Sequence, residues 1–145
     1  RQDIDGIYLA LSAPQGSLVK PLLDYYYAGD LPVFATSQIN SSSKNNRDLG
    51  GVIFTETPWV LSEGNLQTDI TEHIKQGAKY SKDLYALGID AYQLGSRLLA
   101  STSGFSIEQN YLGTNGNWYL SNSNQWHRKL DIAQFKGGTA KHYQP

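Results

Sequence analysis

The first 36 residues read as a strand, a helix and a second strand, and this succession constrains the fold more than any other feature of the sequence. An almost continuous apolar run over residues 4–11 predicts a buried strand, which turn residues end. Residues 17–28 have helical spacing, with Pro21 expected in the first turn, and residues 31–36 predict the next strand. A parallel strand–helix–strand unit fits within this length. The sequence therefore predicts an α/β fold, a short parallel sheet with flanking helices.

The middle of the chain extends this pattern. Residues 37–50 are polar and aperiodic, which predicts a long surface loop, and residues 51–55 predict a third short strand. Residues 65–100 are predominantly helical in pattern, with a division expected near residues 77–81. Gly88 and Gly95 lie seven residues apart on one face of the second helix, so we expect that face to pack closely against the core.

The composition changes from Phe105 onward to Gly, Asn, Ser, Tyr and Trp. Turn signals at residues 115–116 and 122–124 predict a C-terminal antiparallel hairpin. We therefore expect a single domain over residues 1–145, with an α/β part over residues 1–104 and a hairpin appendage over residues 105–145.

Charge and residue types exclude several classes of function. Twelve Lys and Arg against thirteen Asp and Glu leave a formal charge of -1, which gives no electrostatic reason to expect nucleic acid or an anionic membrane surface as a partner. The chain has no cysteine, and His73, His127 and His142 are too far apart to form a ligand pair. Phosphate-loop, dinucleotide and nucleophile-elbow motifs are absent. We expect no catalytic residues, no metal and no cofactor.

Polar and aromatic residues follow the predicted strands. The carboxyl ends of parallel strands meet at one edge of a sheet, and hydroxyl and backbone N–H groups there suit a small polar ligand or a protein partner. An exposed indole at the same edge would add a stacking surface. The alternative is that Ser and Thr simply end strands and that the indole packs against the helices. The candidate edge consists of Ser12, Pro14, Ser37, Thr57 and Trp59.

Four stretches of the sequence, taken in order, resemble one known family. Residues 31–37 are similar to the second strand of this family. Residues 47–61 are similar to a family segment that has Leu and Gly before a short strand, followed by Pro-Trp and a hydrophobic pair. Residues 84–94 resemble its helical Tyr-Ala-x-Gly-x-Asp-Ala segment, and residues 113–138 its terminal hairpin. The family is that of the LppC or LpoA lipoproteins, outer-membrane activators of penicillin-binding proteins.

This resemblance implies one lobe of a type I periplasmic-binding-protein-like fold plus the terminal hairpin, with the other lobe upstream. It implies a non-catalytic activator that contacts a class A penicillin-binding protein, a peptidoglycan synthase, in the periplasm. The parent lipoprotein would lie on the periplasmic side of the outer membrane, held by a lipid anchor outside this chain. We expect the synthase to contact the polar loops at residues 37–50 and 110–125.

A different class of function is compatible with the same fold. A type I periplasmic binding protein that serves as the substrate-binding component of a transporter would bind a small ligand between two lobes. The candidate edge would then contact that ligand. Fold alone does not separate the two functions.

Overall fold

The strand, helix and strand predicted at the start of the chain are present in the computed structural model, which describes residues 3–40, 46–62, 82–100 and 110–145. Strand β1 covers Ile7–Leu9, helix α1 covers Ala13–Leu23, and strand β2 covers Val33–Ala35. Strands β1 and β2 pair in parallel, with Tyr8 opposite Phe34. The predicted α/β fold with a parallel sheet is confirmed.

The chain divides into two units. The first comprises Arg1–Glu56 with Asp131–Pro145, and the second comprises Thr57–Leu130. The sequence predicted instead an α/β part that ends at residue 104 and an appendage that runs to the end of the chain. That expectation is wrong for residues 131–142, because the last two strands pair within the sheet of the first unit.

The sheet of the first unit has five strands in the order β1-β2-β3-β7-β8. Strand β3 (Ile53–Glu56) is parallel to β2, and strand β7 (Asp131–Lys136) is antiparallel to β3. Strand β8 (Thr139–His142) returns beside β7 through a tight turn. Gly137 and Gly138 occupy that turn with φ of 62° and 81°, a left-handed conformation that L side chains rarely adopt.

One face of this sheet forms the core of the first unit. The rings of Phe54 and Phe135 stack with their centroids 4.5 Å apart, and both side chains are fully buried. Gly16 of α1 lies so close to Ile39 and Leu49 that a Cβ at that position would clash with the Ile39 side chain. The remaining buried apolar side chains on the strands of this sheet are Leu9, Val33, Ala35 and Ala133.

Helix α1 begins four residues earlier than its sequence pattern predicts. Ser12 precedes its first turn, and Pro21 therefore lies near the end of the helix rather than in its first turn, which corrects the prediction. Proline cannot donate the hydrogen bond that an interior helical position requires. A π-helical segment, Asp24–Ala28, follows directly and ends the helix.

The second unit contains helices α2 (Pro58–Leu61) and α3 (Lys82–Ala100) and a three-stranded antiparallel sheet. Its strands are β4 (Tyr111–Leu112), β5 (Asn117–Leu120) and β6 (Trp126–Lys129), in sequential order. The β5–β6 hairpin confirms the predicted antiparallel pair. The first predicted helix, which begins at residue 65, and the division expected near residues 77–81 both lie outside the described residues. Within the described part of the chain, no helix combines the length and apolarity needed to cross a membrane.

Candidate functional site

Three residues of the candidate edge belong to the first unit. Ser12 and Pro14 follow β1 at the start of α1, and Ser37 begins a 3-10 turn directly after β2. Because β1 and β2 are parallel neighbours, these residues lie at the same end of the sheet. All three are exposed.

The hydrogen bonds of Ser12 serve the helix. Its hydroxyl donates to Oε1 of Gln15 at 2.8 Å, and its backbone N–H donates to the same oxygen at 3.1 Å. Such an exchange at a helix start satisfies a backbone donor that the helix itself leaves unpaired. Ser12 therefore stabilises the first turn of α1, a role that needs no ligand.

The other two residues of the candidate edge, Thr57 and Trp59, belong to the second unit and are buried. Trp59 is only 3% exposed, and its backbone N–H donates to the carbonyl of Thr114 at 2.8 Å. The expectation of an exposed indole at this position is wrong. The single turn of α2 directs the ring inward, and its backbone is bonded to the loop that precedes β5.

Residues that the sequence analysis did not single out form a polar cluster in the first unit. Glu56, the last residue of β3, is 4% exposed and accepts a 2.8 Å hydrogen bond from Nδ2 of Asn40. Nδ2 of the buried Asn46 lies 3.4 Å from the side-chain oxygen of Asn40. Because a buried carboxylate needs donors, the amide of Asn40 satisfies Glu56, and the amide of Asn46 in turn donates to Asn40. These bonds hold Asn40 and Asn46 at the end of β3. In the sequence, the carboxylate of Glu56 at the end of an apolar strand could have indicated this polar cluster.

In the second unit, the side chain of Asp90 accepts four hydrogen bonds. This residue of α3 is fully buried, and its carboxylate accepts hydrogen bonds from the backbone N–H and hydroxyl of Thr114, both at 2.7 Å. The backbone N–H of Asn115 and the indole N–H of Trp118 also donate to it, each at 2.8 Å. Asp90 thereby fixes both the loop between β4 and β5 and the ring of Trp118. In the sequence, Asp90 stands out only as part of the helical segment at residues 84–94 that resembles the family.

Two arginines extend this cluster. Arg128 donates to the side-chain oxygen of the buried Asn115, and its guanidinium lies 6.0 Å from the centre of the Trp118 ring. Arg97 lies 4.6 Å above the ring of Tyr111, a cation–π arrangement. These contacts hold the loop and strands in place.

The hairpin itself presents an exposed surface. All four residues of β6 are exposed, and His127 stacks on Tyr119 of β5 with ring centroids 5.2 Å apart. Ser121 and Gln125 close the turn through a backbone hydrogen bond of 2.9 Å. Within the described parts of the chain, no three His, Cys, Asp or Glu side chains gather into a metal-binding cluster.

Tyr111 makes the stability of the second unit sensitive to high pH. Burial raises the pKa of its hydroxyl above the ordinary 10.0, the negative charge of Asp90 raises it further, and Arg97 opposes the shift. The unfolded chain therefore ionises first, so this stabilisation is complete below pH 10.0 and is lost as the pH rises through the folded pKa. We expect Tyr111→Phe, which removes the hydrogen bond to Gln93, to cost about 1 kcal/mol near neutral pH.

The difference between wild type and Tyr111→Phe should narrow above about pH 10. Urea unfolding of both proteins between about pH 8 and about pH 11 measures that difference directly. A difference that stays constant over this range would show that Tyr111 does not titrate differently in the folded and unfolded states. Tyr92→Phe is the control, because Tyr92 is 77% exposed.

Solved structures share the fold described above. The C-domain of LpoA from Haemophilus influenzae, described as a regulator of PBP1A, matches with a TM-score of 0.76 and 18% identity over 99% of this chain and 46% of that chain. A Chromobacterium violaceum protein described as a putative branched-chain amino acid ABC transporter matches with a TM-score of 0.64 and 29% identity, over 90% of this chain and 42% of that chain. The fold is therefore of the periplasmic-binding-protein-like class.

Sequence similarity narrows this class to one family. The model of the family described as LppC putative lipoprotein matches residues 1–138, and the chain belongs to that family. The penicillin-binding protein activator LpoA of Vibrio vulnificus is 30% identical over 102 residues, which are 68% of this chain and 17% of that protein. LpoA of Vibrio antiquarius is 26% identical over 113 residues, 74% of this chain and 19% of that protein. The chain thus spans less than a fifth of these relatives.

Proposed function

We propose that this chain is part of a non-catalytic activator of a class A penicillin-binding protein, a peptidoglycan synthase. The observation that carries the proposal is the family match over residues 1–138, together with relatives that are named penicillin-binding protein activators. The natural protein would act on the periplasmic side of the outer membrane, held there by a lipid anchor outside this chain. It would need neither a metal nor a cofactor.

The polar clusters of the described residues support a role in contact rather than in catalysis. The carboxylate of Asp90 accepts hydrogen bonds from four donors and thereby holds one loop and one indole in place. Glu56 is bonded to the amide of Asn40, which anchors another loop. A general acid or base must be free to exchange a proton with a substrate. These two buried carboxylates instead organise the surface loops.

The loops at residues 37–50 and 110–125, one in each unit, are each proposed to contact the synthase, and together they are called the proposed contact surface. Ile39 and Leu49 anchor the first loop, since both are fully buried, while the residues directly before them, Gln38 and Asp48, are exposed. The second loop region is anchored through Asp90 and ends in the exposed turn at residues 122–125. A surface held in its bound shape loses little conformational entropy on binding.

Activation by contact requires differential affinity. A partner shifts a synthase toward its active conformation only if it binds that conformation more tightly than the inactive one. A tenfold preference corresponds to about 1.4 kcal/mol, which a small number of polar contacts can supply. The proposed contact surface therefore needs no large interface to have a measurable effect.

A glycan-polymerisation assay tests the proposal. The natural gene product that contains this sequence is added to class A penicillin-binding proteins of the source organism, and binding is followed by pull-down. We expect stimulation of at least one synthase, and we expect Gln38→Ala combined with Asn122→Ala and Gln125→Ala to reduce it by a factor of about 3 or more below saturation. The matched control is Lys141→Ala with Gln144→Ala, two exposed positions outside both loops.

Either of two results would contradict this proposal. Absence of both binding and stimulation would remove the activator function. Full stimulation by the triple variant would leave the function but exclude the proposed contact surface.

A ligand receptor is the second candidate function. The similarity to the Chromobacterium violaceum protein, at 29% identity over 90% of this chain, favours it. A small ligand would then contact Ser12, Pro14 and Ser37, the exposed residues of the candidate edge, all of which belong to the first unit. Thermal stabilisation of the natural gene product by amino acids or muropeptides, without synthase stimulation, would favour the receptor.

A further inference from the structure

Helix α1 packs into the core of the first unit with one side only. Ala13, Gly16 and Lys20 are buried, and they follow one another at intervals of three and four residues. Gly16 lies against the side chains of Ile39 and Leu49 in the same unit. The opposite side of the helix therefore points away from the sheet.

That outer side carries large apolar and aromatic side chains. Leu18 is 73% exposed, Leu22 is 56% exposed and Tyr25 is 75% exposed, and their spacing of four and three residues places them on one face. Tyr26, which is 70% exposed, follows in the π-helical segment. We call Leu18, Leu22, Tyr25 and Tyr26 the α1 patch. A contiguous exposed apolar patch of this kind is typical of an interaction surface.

An ion pair within the helix holds the aromatic end of the α1 patch in place. Nζ of the buried Lys20 donates to both carboxylate oxygens of Asp24, at 2.6 and 2.7 Å, and Asp24 is the first residue of the π-helical segment. The rings of Tyr25 and Tyr26 meet edge to face with their centroids 5.1 Å apart. π-helical turns are rare in proteins and are frequent at functional sites. Tyrosines held in this way lose little freedom on binding, so they suit the anchor of a protein contact.

The layer order of the first unit keeps the α1 patch at the surface. In an α/β domain the helices form the outer layers, so the side of a helix that faces away from the sheet lies on the outside. An uncovered face of a parallel sheet is different, because other elements of the same domain ordinarily cover it. The α1 patch is therefore a surface for another molecule rather than for the interior of the domain.

The charge around the aromatic end of the α1 patch is negative. Because β1 and β2 are parallel, α1 returns the chain to the end of the sheet where both strands begin. Residues 3–35 contain four Asp and one basic residue, Lys20, whose charge is paired with Asp24. The exposed Asp5 precedes β1 and the exposed Asp30 precedes β2, so both lie at this end. The patch thus combines an apolar stripe, two tyrosines and uncompensated negative charge.

We propose that the α1 patch is a docking surface for a basic segment of the peptidoglycan synthase, in which an apolar side chain is flanked by Arg or Lys. The proposal rests on the proposed function and adds a surface to the two loops. The apolar side chain would pack against Leu18 and Leu22, while the cations would lie against the tyrosine rings and the nearby Asp side chains. A second copy of the chain offers no basic residue in the same patch, and an anionic lipid surface would be repelled by it.

Binding of the natural gene product to the class A penicillin-binding protein that it stimulates tests the proposal, with affinities measured by biolayer interferometry. We expect Tyr25→Ala combined with Tyr26→Ala to weaken the affinity by a factor of about 10 or more, since exposed tyrosines that anchor a contact supply much of its binding energy. The matched control is Tyr92→Ala, because Tyr92 is a 77% exposed tyrosine on α3, and the affinity should not change. Leu18→Ser replaces the double variant if that variant does not fold.

Charge is tested separately from apolar contact. We expect Asp5→Asn combined with Asp30→Asn to slow association by a factor of about 3 at about 50 mM salt, and to have a smaller effect at about 500 mM salt, where surface charges are screened. A rate that is the same for wild type and this variant at both salt concentrations would overturn the basic nature of the docking segment.

Two further results would overturn the proposal and leave synthase activation intact. One is equal affinity of the wild type and the double tyrosine variant. The other is maleimide labelling of Tyr25→Cys, in the natural gene product alone, that is slower than labelling of Tyr92→Cys by a factor of about 10 or more, because the protein itself would then cover the patch. Absence of wild-type binding to every class A synthase would instead remove the proposed function, and this docking surface with it.

Discussion

Asp90→Ala is expected to destabilise the protein by about 3–5 kcal/mol, one of the two largest effects that the structure predicts for a single side chain. The substitution removes a buried acceptor of four hydrogen bonds, two from backbone N–H groups, one from a hydroxyl and one from an indole N–H. Urea unfolding at neutral pH measures the change in the free energy of unfolding.

Asp90→Asn separates charge and acceptor capacity from shape. The amide keeps one carbonyl oxygen but presents donors where the carboxylate accepts, so we expect a smaller loss of about 1–3 kcal/mol. Asp48→Ala is the matched control, since Asp48 is exposed and its removal should change stability by less than about 0.5 kcal/mol. A loss below about 1 kcal/mol for Asp90→Ala would mean that other contacts hold the loop at residues 113–116.

Phe54→Ala should cost a similar amount in the first unit, about 3–5 kcal/mol. Phe54 is 2% exposed and stacks on Phe135 across the β3–β7 pair, so the truncation leaves a cavity between two strands whose backbones are hydrogen-bonded. Phe54→Leu, which fills most of that space, should cost less than about 2 kcal/mol. Thermal and urea unfolding of the three proteins provide the comparison.

Phe34→Ala is the informative control for this prediction in the 145-residue chain. Phe34 lies on the neighbouring strand β2 but on the opposite face of the sheet, where it is 42% exposed. Its removal should cost no more than about 1 kcal/mol. Equal losses for Phe34→Ala and Phe54→Ala would contradict the assignment of the core to one face.

Local patterns predicted the early part of the fold well. The apolar run before Ser12, the helical spacing after it and the second run at residues 31–36 all correspond to observed elements of a parallel unit. Each of these signals involves residues within a few positions of one another. The helix start was misplaced because Pro21 was expected near the beginning of α1, whereas the exchange between Ser12 and Gln15 begins the helix earlier.

The candidate site was predicted less completely. The exposed positions of Ser12 and Ser37 at one end of neighbouring strands follow from the parallel pairing, which the sequence indicated. The burial of Trp59 does not, because it depends on a backbone hydrogen bond to Thr114, a residue 55 positions away (114 - 59). The hydrogen bond that the Ser12 hydroxyl donates to Gln15 could likewise not be predicted without the geometry of the first turn of α1.

Sequence patterns predict the class of fold, the succession of strands and helices at the start of the chain and the hairpin turns, because hydrophobic period and turn chemistry act over short distances. The tertiary structure was needed to show that β7 pairs with β3 and that Asp90 holds the loop before β5. It also corrects the expected close packing of Gly88 and Gly95, since among the described residues no atom lies within 4 Å of a Cβ built at either position. These features depend on pairings between distant residues, and such pairings are selected by the packing of whole faces rather than by any local pattern.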